Sequence, residues 1–419
     1  MGNKPYINTI INKFLYCTFS FLANAFLTRA LGLQLKGEYS WMLNYASILS
    51  IIAGLGVYQS IPYYIRSEEK RDWAQEYVNI FAFQAMIYSL IVVLIGIVKR
   101  DNITLVLIGT LVIVDILSQQ LNMLLLVDKI YKRNLVFTLG AIINLILSLG
   151  CFVFVKNNLV VAVSCFFIVK IFYIFSYLFM LGKIPHPFHV SVKAILEKVK
   201  FGYIPMLSFL LITLNYKVDV LMLKNSITVS AEELSLYTVG VSIAEIAWVI
   251  PDGFKEVLFS RTSNKNNDEE VDAALRVSNL VIGITIIGIL IFGKWVIQLF
   301  FGKEFMSAYG VTILLFLGIP AMSWFKIIYT LFNAKGKRKI SFFVLLISTI
   351  LNIIFNHLII PMCNIYGAAA ASIVSYGVCG IVFLILYSKD SGNRFSSLFV
   401  MKKNDLRKLI GREKSGNQN

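Results

Sequence analysis

Twelve apolar stretches, each long enough to cross a lipid bilayer, occupy nearly all of this 419-residue chain. The hydrocarbon core of a bilayer requires about 20 apolar residues per helix, and only helices and closed barrels satisfy their backbone in lipid. The predicted spans are residues 10–30, 40–65, 77–98, 103–127, 135–155, 159–181, 201–223, 236–259, 276–301, 309–333, 340–361 and 366–388. We therefore predict an all-α integral membrane protein of twelve transmembrane helices, which leaves no room for a soluble catalytic domain.

Composition and charge support this class of protein. Hydrophobic residues make up 58% of the chain and its mean hydropathy is +0.75, which exclude an ordinary soluble fold. The net charge of +16 is distributed by side of the membrane, because 27 of the 39 Lys and Arg residues fall in the predicted cytoplasmic segments and eight in the outer links. The positive-inside rule then places both termini in the cytoplasm. We expect anionic lipid, and no nucleic acid, to contact these basic segments.

A polar stretch with two prolines divides the twelve spans into two sets of six. We predict an N-terminal six-helix bundle over residues 1–181, a cytoplasmic linker over 182–200, a C-terminal six-helix bundle over 201–388 and a basic cytoplasmic tail over 389–419. Within the tail, residues 396–410 are basic and apolar, so they form either an interfacial helix on the inner leaflet or a solvated tail.

The two sets of spans resemble each other weakly. Each set has a helix break at a comparable depth, Gly54-Leu55-Gly56 in the second span and Pro251-Asp252-Gly253 in the eighth. A basic pair also precedes an asparagine-bearing span in each set, with Asn144 in the fifth span and Asn352 in the eleventh. Repeated halves with matched breaks are typical of transporters, whose substrate site lies between the halves.

Charged side chains inside the spans are the strongest indication of function, since each costs about 3 kcal/mol on insertion scales. We predict that the cations bind substrate, namely Arg29, Lys170, Lys217 and Lys326. We predict that the acids bind a coupling ion, either H⁺ or Na⁺, namely Asp115, Asp219, Glu245 and Asp252. The alternative for any of these residues is a salt bridge between helices that only holds the bundle together.

The spacing of these residues adds geometry. Glu245 and Asp252 are seven residues apart, which predicts one shared helical face with Trp248 between them. Lys217 and Asp219 are two residues apart and do not face each other on a helix.

Several enzyme and metal signatures are missing from the sequence. It has no Gly-x-x-x-x-Gly-Lys-[Ser/Thr] phosphate loop and no Gly-x-Ser-x-Gly nucleophile motif. Its three histidines, His186, His189 and His357, do not have metal-ligand spacing. The outer links are short, whereas a membrane polymerase or ligase is expected to carry a large outer loop. We therefore predict a protein that is not an enzyme, without catalytic residues, resident metal or cofactor.

Three groups of short motifs resemble those of one transporter family. They are Leu27–Gly32 followed by Gly37–Tyr39, then Asn333–Lys339, and finally Ile350–Asn352, Ile359–Pro361 and Ile365–Ala370. With the twelve-span plan, this pattern is similar to the polysaccharide-biosynthesis flippases. These are the O-antigen (Wzx-type) translocases of the multidrug/oligosaccharidyl-lipid/polysaccharide exporter superfamily.

The resemblance implies two pseudo-symmetric six-helix bundles that form a V-shaped cavity. It also implies a substrate, an oligosaccharide repeat unit linked to undecaprenyl pyrophosphate, for lipopolysaccharide or a similar surface polysaccharide. The repeat unit would cross the bacterial inner membrane by alternating access, coupled to a cation gradient. Arg29 corresponds to the family's first-helix arginine. We expect a monomer that works beside a polysaccharide polymerase and a chain-length regulator.

Two other functions remain open at this stage. A multidrug or cation antiporter of the same superfamily would require carboxylates and aromatic side chains without surplus lysines, so Lys170, Lys217 and Lys326 count against it. A membrane glycosyltransferase or acyltransferase lacks the catalytic groups and the large loops that it would need here.

Overall fold

The computed structural model describes residues 4–67, 72–99, 102–249, 251–253, 268–392 and 395–405. All regular structure within these ranges is helical, with no strand. Internal contacts divide the chain into two compact units, Met1–Leu221 and Met222–Asn419. Each unit is described separately below.

The first unit is built from seven helices and one short 3₁₀ turn. They are α1 (Lys4–Ala53), the 3₁₀ turn Tyr58–Ser60, α2 (Ile61–Ser67), α3 (Trp73–Val98), α4 (Ile103–Asp128), α5 (Ile130–Phe154), α6 (Leu159–Leu181) and α7 (Val192–Asn225). Side-chain caps begin three of them, because Asp72, Asn102 and Asn158 each accept a backbone N–H from the first turn of the helix that follows. These caps define where α3, α4 and α6 start.

Helix α1 covers the first two predicted spans and breaks at glycine. Gly32 has a φ of 66°, a left-handed conformation that interrupts the helix between the two spans. The helix ends at Ala53, and Leu55 and Gly56 then take positive φ angles of 52° and 79°. The predicted break at Gly54-Leu55-Gly56 is therefore confirmed.

This turn contacts α7 through backbone atoms. A Cβ on Gly202 would lie 1.7 Å from the carbonyl oxygen of Gly56, so only glycine fits at position 202. Beside it, the rings of Tyr63 and Phe201 stack with their centroids 4.3 Å apart. Close backbone contact and ring stacking together fix the start of the membrane part of α7 against the end of the second span.

One buried lysine stabilises the start of α7 against α3. Lys198 is 1% exposed and forms an ion pair with Glu76 of α3. Its ammonium also lies 5.2 to 5.5 Å from the ring centroids of Tyr64, Trp73 and Tyr77. An aromatic cage with one carboxylate compensates the ammonium for the loss of water.

The described part of the second unit contains four long helices and two 3₁₀ turns. They are α8 (Ala231–Ala247), α9 (Asp268–Phe300), Lys303–Phe305, α10 (Ala308–Ala334), α11 (Arg338–Ser391) and Phe395–Leu398. Helix α8 begins with a capping box in which Ser230 and Glu233 each accept the other's backbone N–H. Helix α10 is mostly buried and packs against α8, α9 and α11, so it forms the centre of this unit.

Helix α11 covers the last two predicted spans. It breaks at Asn364, which has a φ of 48° and a ψ of −130°. The amide of this asparagine donates to a carboxylate oxygen of Glu233 at the start of α8, with an N–O distance of 3.2 Å. The break is thus stabilised by the same glutamate that caps α8.

Nine helices of the described part are long and apolar enough to cross a membrane. Two of them, α1 and α11, contain a break and account for two predicted spans each. The eighth predicted span is only partly described, because residue 250 and residues 254–259 lie outside the described part. The prediction of an all-α integral membrane protein is confirmed, and a twelve-helix architecture in two bundles agrees with this set of helices.

Helix α7 lies at the junction of the two units. Helix α7 begins at Val192, within the predicted linker 182–200, and its contacts place it with the first unit as far as Leu221. The proposed bundles over residues 1–181 and 201–388 stay a prediction.

The described part of the tail is anchored to the second unit by two buried residues. Leu398 is fully buried, and the carboxylate of Asp405 pairs with Arg276 of α9. Leu398 and Asp405 therefore attach this segment to the second unit, whereas Phe399, Val400 and residues 402–404 are exposed, and the choice between an interfacial and a solvated segment stays a prediction. The rest of the predicted interfacial segment, residues 406–410, lies outside the described residues.

Candidate functional site

A cluster of polar side chains lies inside the first unit. Four helices and the 3₁₀ turn contribute these side chains. This first cluster consists of Ser47, Ser50, Tyr58, Asp115, Ser118, Gln119, Lys170 and Lys217. Its helices are α1, α4, α6 and α7. Polar groups inside a membrane protein are costly and usually mark substrate or ion pathways.

Asp115 is the centre of this cluster. One carboxylate oxygen accepts from the Lys170 ammonium at 2.7 Å. The other accepts from the Ser50 hydroxyl at 2.8 Å and from the Gln119 amide at 2.7 Å. Gln119 is one helical turn after Asp115 on α4, and its carbonyl oxygen accepts from the Tyr58 hydroxyl at 3.1 Å. Three donors thus stabilise a carboxylate that is almost completely buried.

Lys170 has two further contacts. Its ammonium lies 3.3 Å from the Ser118 hydroxyl oxygen and 5.1 Å from the centroid of the Phe166 ring. The Lys170 side chain is 18% exposed, compared with 10% for the side chain of Asp115. The lysine is therefore the more accessible member of the pair.

Lys217 joins the cluster through α1. Its ammonium donates to the Ser47 hydroxyl at 2.9 Å. Ser47 and Ser50 are three residues apart on α1 and share a face, so the two serines bring Lys217 of α7 and Asp115 of α4 to the same side of α1.

A second cluster lies in the second unit and consists of Trp248, Asp252 and Lys326. The Lys326 ammonium donates to a carboxylate oxygen of Asp252 at 3.0 Å. It also lies 4.5 Å from the centroid of the Trp248 ring, within cation–π range. Lys326 is buried, whereas the side chain of Asp252 is 31% exposed.

Five of the eight predicted site residues belong to these two clusters. The three others are Arg29, which is half-buried one turn before the break in α1, Asp219, which is buried on α7, and Glu245, which is exposed near the end of α8. The Asp219 carboxylate accepts the backbone N–H of Val220 at 2.7 Å. The backbone N–H of Asp252 donates to the carbonyl oxygen of Trp248 at 3.0 Å, and the predicted face shared with Glu245 stays a prediction.

Sequence reasoning missed the neutral members of the first cluster. One signal was present for Gln119, because it follows Asp115 at the i+4 position of an apolar helix. The serines and Tyr58 carry no such signal, since single hydroxyls are common in transmembrane helices. Lys36, which lies between the first and second predicted spans, is 3% exposed and donates to the Asn24 side chain at 2.8 Å.

The chemistry of these clusters suits the binding of charged groups. The first combines two lysine ammonium groups with one carboxylate, and the second combines one of each. Among the described residues, no group of three or more His, Cys, Asp or Glu side chains could hold a metal ion.

Comparisons with known proteins agree with this architecture. Residues 205–358 match the family model named MatE. A structure of the lipid II flippase MurJ in an inward closed conformation superposes with a TM-score of 0.78 at 14% identity, covering 98% of this chain and 94% of that chain. No curated protein sequence matches the chain significantly.

Multidrug transporters superpose as well. An inward-facing MATE family transporter of the MOP superfamily gives a TM-score of 0.69 at 15% identity, covering 94% of this chain and 98% of that chain. An outward-facing one gives 0.61 at 16% identity, covering 94% of both chains. The chain has the fold that these membrane proteins share.

Proposed function

We propose that this protein is a flippase for lipid-linked oligosaccharides. Its substrate would be a repeat unit of O-antigen or a similar surface polysaccharide, carried on undecaprenyl pyrophosphate. The repeat unit would cross the bacterial inner membrane by alternating access, without covalent change. A fold shared with a lipid II flippase supports a substrate with a lipid carrier.

The first cluster is the observation that carries this proposal. Lys170 and Lys217 come from separate helices and outnumber the one carboxylate of the cluster, Asp115. Lysine is a compact, strongly hydrated charge that suits a phosphate in a wet site. The pyrophosphate is the anionic part of the proposed substrate, and we assign its recognition to these two lysines. Arg29 and Lys326 are proposed as further contacts to the substrate.

Cation coupling is part of the same proposal. Asp115 and Asp252 each pair with a lysine, so uptake of a proton would weaken the pair and release its ammonium. Asp219 and Glu245 are proposed as additional sites for the coupling cation. We further propose a monomer that delivers its product to a polysaccharide polymerase and a chain-length regulator.

A multidrug antiporter is the second candidate. The match to MatE favours it, as does the indole of Trp248 beside the half-exposed carboxylate of Asp252, which together suit an organic cation. In this structure Lys326 already occupies that position, and an incoming cation would have to displace it. The flippase therefore ranks first.

A binding experiment separates the two candidates. The purified full chain in nanodiscs is titrated with farnesyl diphosphate, a prenyl diphosphate without sugar, and separately with the cation ethidium. We expect binding of the diphosphate that weakens by tenfold or more, equivalent to about 1.5 to 3 kcal/mol, in Lys170→Ala and in Lys217→Ala. Lys200→Ala, an exposed cytoplasmic lysine of α7, is the matched control.

The opposite pattern would favour the antiporter. Ethidium would then bind, its affinity would fall in Asp252→Asn, and the diphosphate would bind equally to wild type and to both lysine variants.

A further inference from the structure

We infer that Asp115 competes with the anionic group of the substrate for the Lys170 ammonium, and that Lys170 exchanges between the two. This inference rests on the proposed function and deepens it, because it names what sets the affinity of the site. In the structure the Lys170 ammonium is bound to Asp115, at 2.7 Å. A substrate phosphate that uses the same ammonium must share it with this carboxylate or displace it.

The geometry of the pair supports exchange at the lysine and not at the aspartate. Asp115 is enclosed, and both of its oxygens already accept hydrogen bonds, from Lys170, Ser50 and Gln119. Lys170 is more exposed, and an ammonium can donate three hydrogen bonds. The fixed carboxylate thus stays in place while the flexible lysine side chain can turn.

Neighbouring groups provide each partner with an alternative. The Ser50 hydroxyl lies 2.8 Å from the Asp115 carboxylate and 2.9 Å from the carbonyl oxygen of Ser47, and its one proton serves a single acceptor at a time. Lys170 has Ser118 and the Phe166 ring as further neighbours. Neither partner is left without contacts when their ion pair opens, which lowers the cost of exchange.

The charged groups around Asp115 determine what happens to its charge during exchange. Lys170 faces it from α6, and Lys217 acts on it electrostatically from α7. Tyr58 approaches from the 3₁₀ turn through Gln119, which belongs to the same helix as Asp115. When Lys170 turns to the substrate, Lys217 remains as a positive charge near the carboxylate, and the carboxylate draws Lys170 back after release.

The test measures binding of farnesyl diphosphate to the full chain in nanodiscs. Asp115→Asn removes the competing charge but keeps the shape and an acceptor oxygen, so we expect about tenfold tighter binding. We expect this gain to vanish in the Asp115→Asn, Lys170→Ala double variant. Asp72→Asn is the matched control, because Asp72 pairs with Lys183 of the same unit, away from the first cluster. It should leave the affinity unchanged.

Equal or weaker binding by Asp115→Asn, with the Lys170 dependence intact in wild type, would overturn this inference and leave the proposed function standing. Binding that does not depend on Lys170 at all would instead remove the proposed function. Ser50→Ala gives a second test that does not depend on how well Asp115→Asn folds. It removes a hydrogen bond that supports the carboxylate when its ion pair with Lys170 opens, and we expect about two- to threefold weaker binding. Ser148→Ala, at a buried serine of α5, is its control, and equal affinity in both serine variants would contradict the inference.

Discussion

Arg276 and Asp405 form a buried bidentate ion pair although they are 129 residues apart in the chain. Nε and Nη2 of the guanidinium each donate to one carboxylate oxygen at 2.7 Å. The remaining Nη1 donates to the carbonyl of Ser397, at 3.3 Å, and Leu398 beside it is fully buried. The described part of the tail is therefore an integral part of the second unit.

Loss of this pair should destabilise the protein. Asp405→Asn leaves the buried guanidinium with only the more distant carboxylate of Asp272, 3.9 Å away, and breaking a buried ion pair costs about 3 to 5 kcal/mol. We expect a lower unfolding temperature and faster proteolysis after residue 392. Lys403→Gln, at an exposed position of the same segment, should behave as wild type. Equal stability of the two variants would show that the tail contributes nothing to the unit.

Packing of the tail should also depend on pH. Burial alone would raise the pKa of Asp405, but hydrogen bonds from Arg276 and from the Lys402 N–H outweigh it and hold the pKa below its ordinary value of 3.8. Because the pKa is lower in the folded state, this stabilisation is complete at neutral pH and is lost as the pH falls below 3.8 through the folded value.

Hydrogen–deuterium exchange measures this directly. Protection of residues 397–405, corrected for intrinsic rates, should be constant from pH 7 to about pH 5 and fall in more acidic solution. In Asp405→Asn the protection should be low and independent of pH. Protection that is retained in wild type at the most acidic pH would contradict the role of the ion pair.

The caged lysine at the start of α7 gives another stability prediction. Lys198→Met fills part of the cage but leaves Glu76 without the ammonium, so we expect a loss of about 3 kcal/mol. Thermal unfolding of the detergent-solubilised protein measures the effect. Lys200→Met, two residues later and exposed, is the control. A destabilisation shared by both variants would point to a general effect of charge on α7.

Ser47 should matter for transport more than for stability. Its hydroxyl accepts from Lys217, and its loss frees the lysine from α1. A hydrogen bond between a neutral hydroxyl and a charged ammonium contributes about 1.5 to 3 kcal/mol, so we expect Ser47→Ala to lower the transport rate by tenfold or more. Its unfolding temperature should stay close to that of Ser148→Ala, which should transport normally. Normal transport by Ser47→Ala would remove Lys217 from the substrate path.

The sequence was sufficient for the membrane fold but only in part for the site. Hydropathy identified the helices because every transmembrane span must be apolar. The glycines of Gly54-Leu55-Gly56 predicted the break in the second span correctly. Hydropathy also found Asp115, Lys170 and Lys326, because charges are rare in apolar helices. Their pairing was unpredictable from spacing, since each partner lies on a different helix and only packing brings them together.

The tail shows the same limit. Its basic and apolar residues suit lipid or solvent equally well, so composition favoured neither. Asp405 pairs with Arg276. The sequence placed Arg276 at the start of the ninth predicted span but gave no indication of this ion pair. Ser47 and Tyr58 were missed because a single hydroxyl acquires importance only from the lysine or amide beside it.

The most direct test of this account is the leaflet distribution of the undecaprenyl-linked repeat unit in cells that lack the protein. We expect the repeat unit to accumulate in the inner leaflet, wild type to restore outward delivery, and Lys170→Ala and Lys217→Ala to fail although Lys200→Ala succeeds. Normal outward delivery without the protein would contradict the flippase proposal and place the multidrug antiporter first.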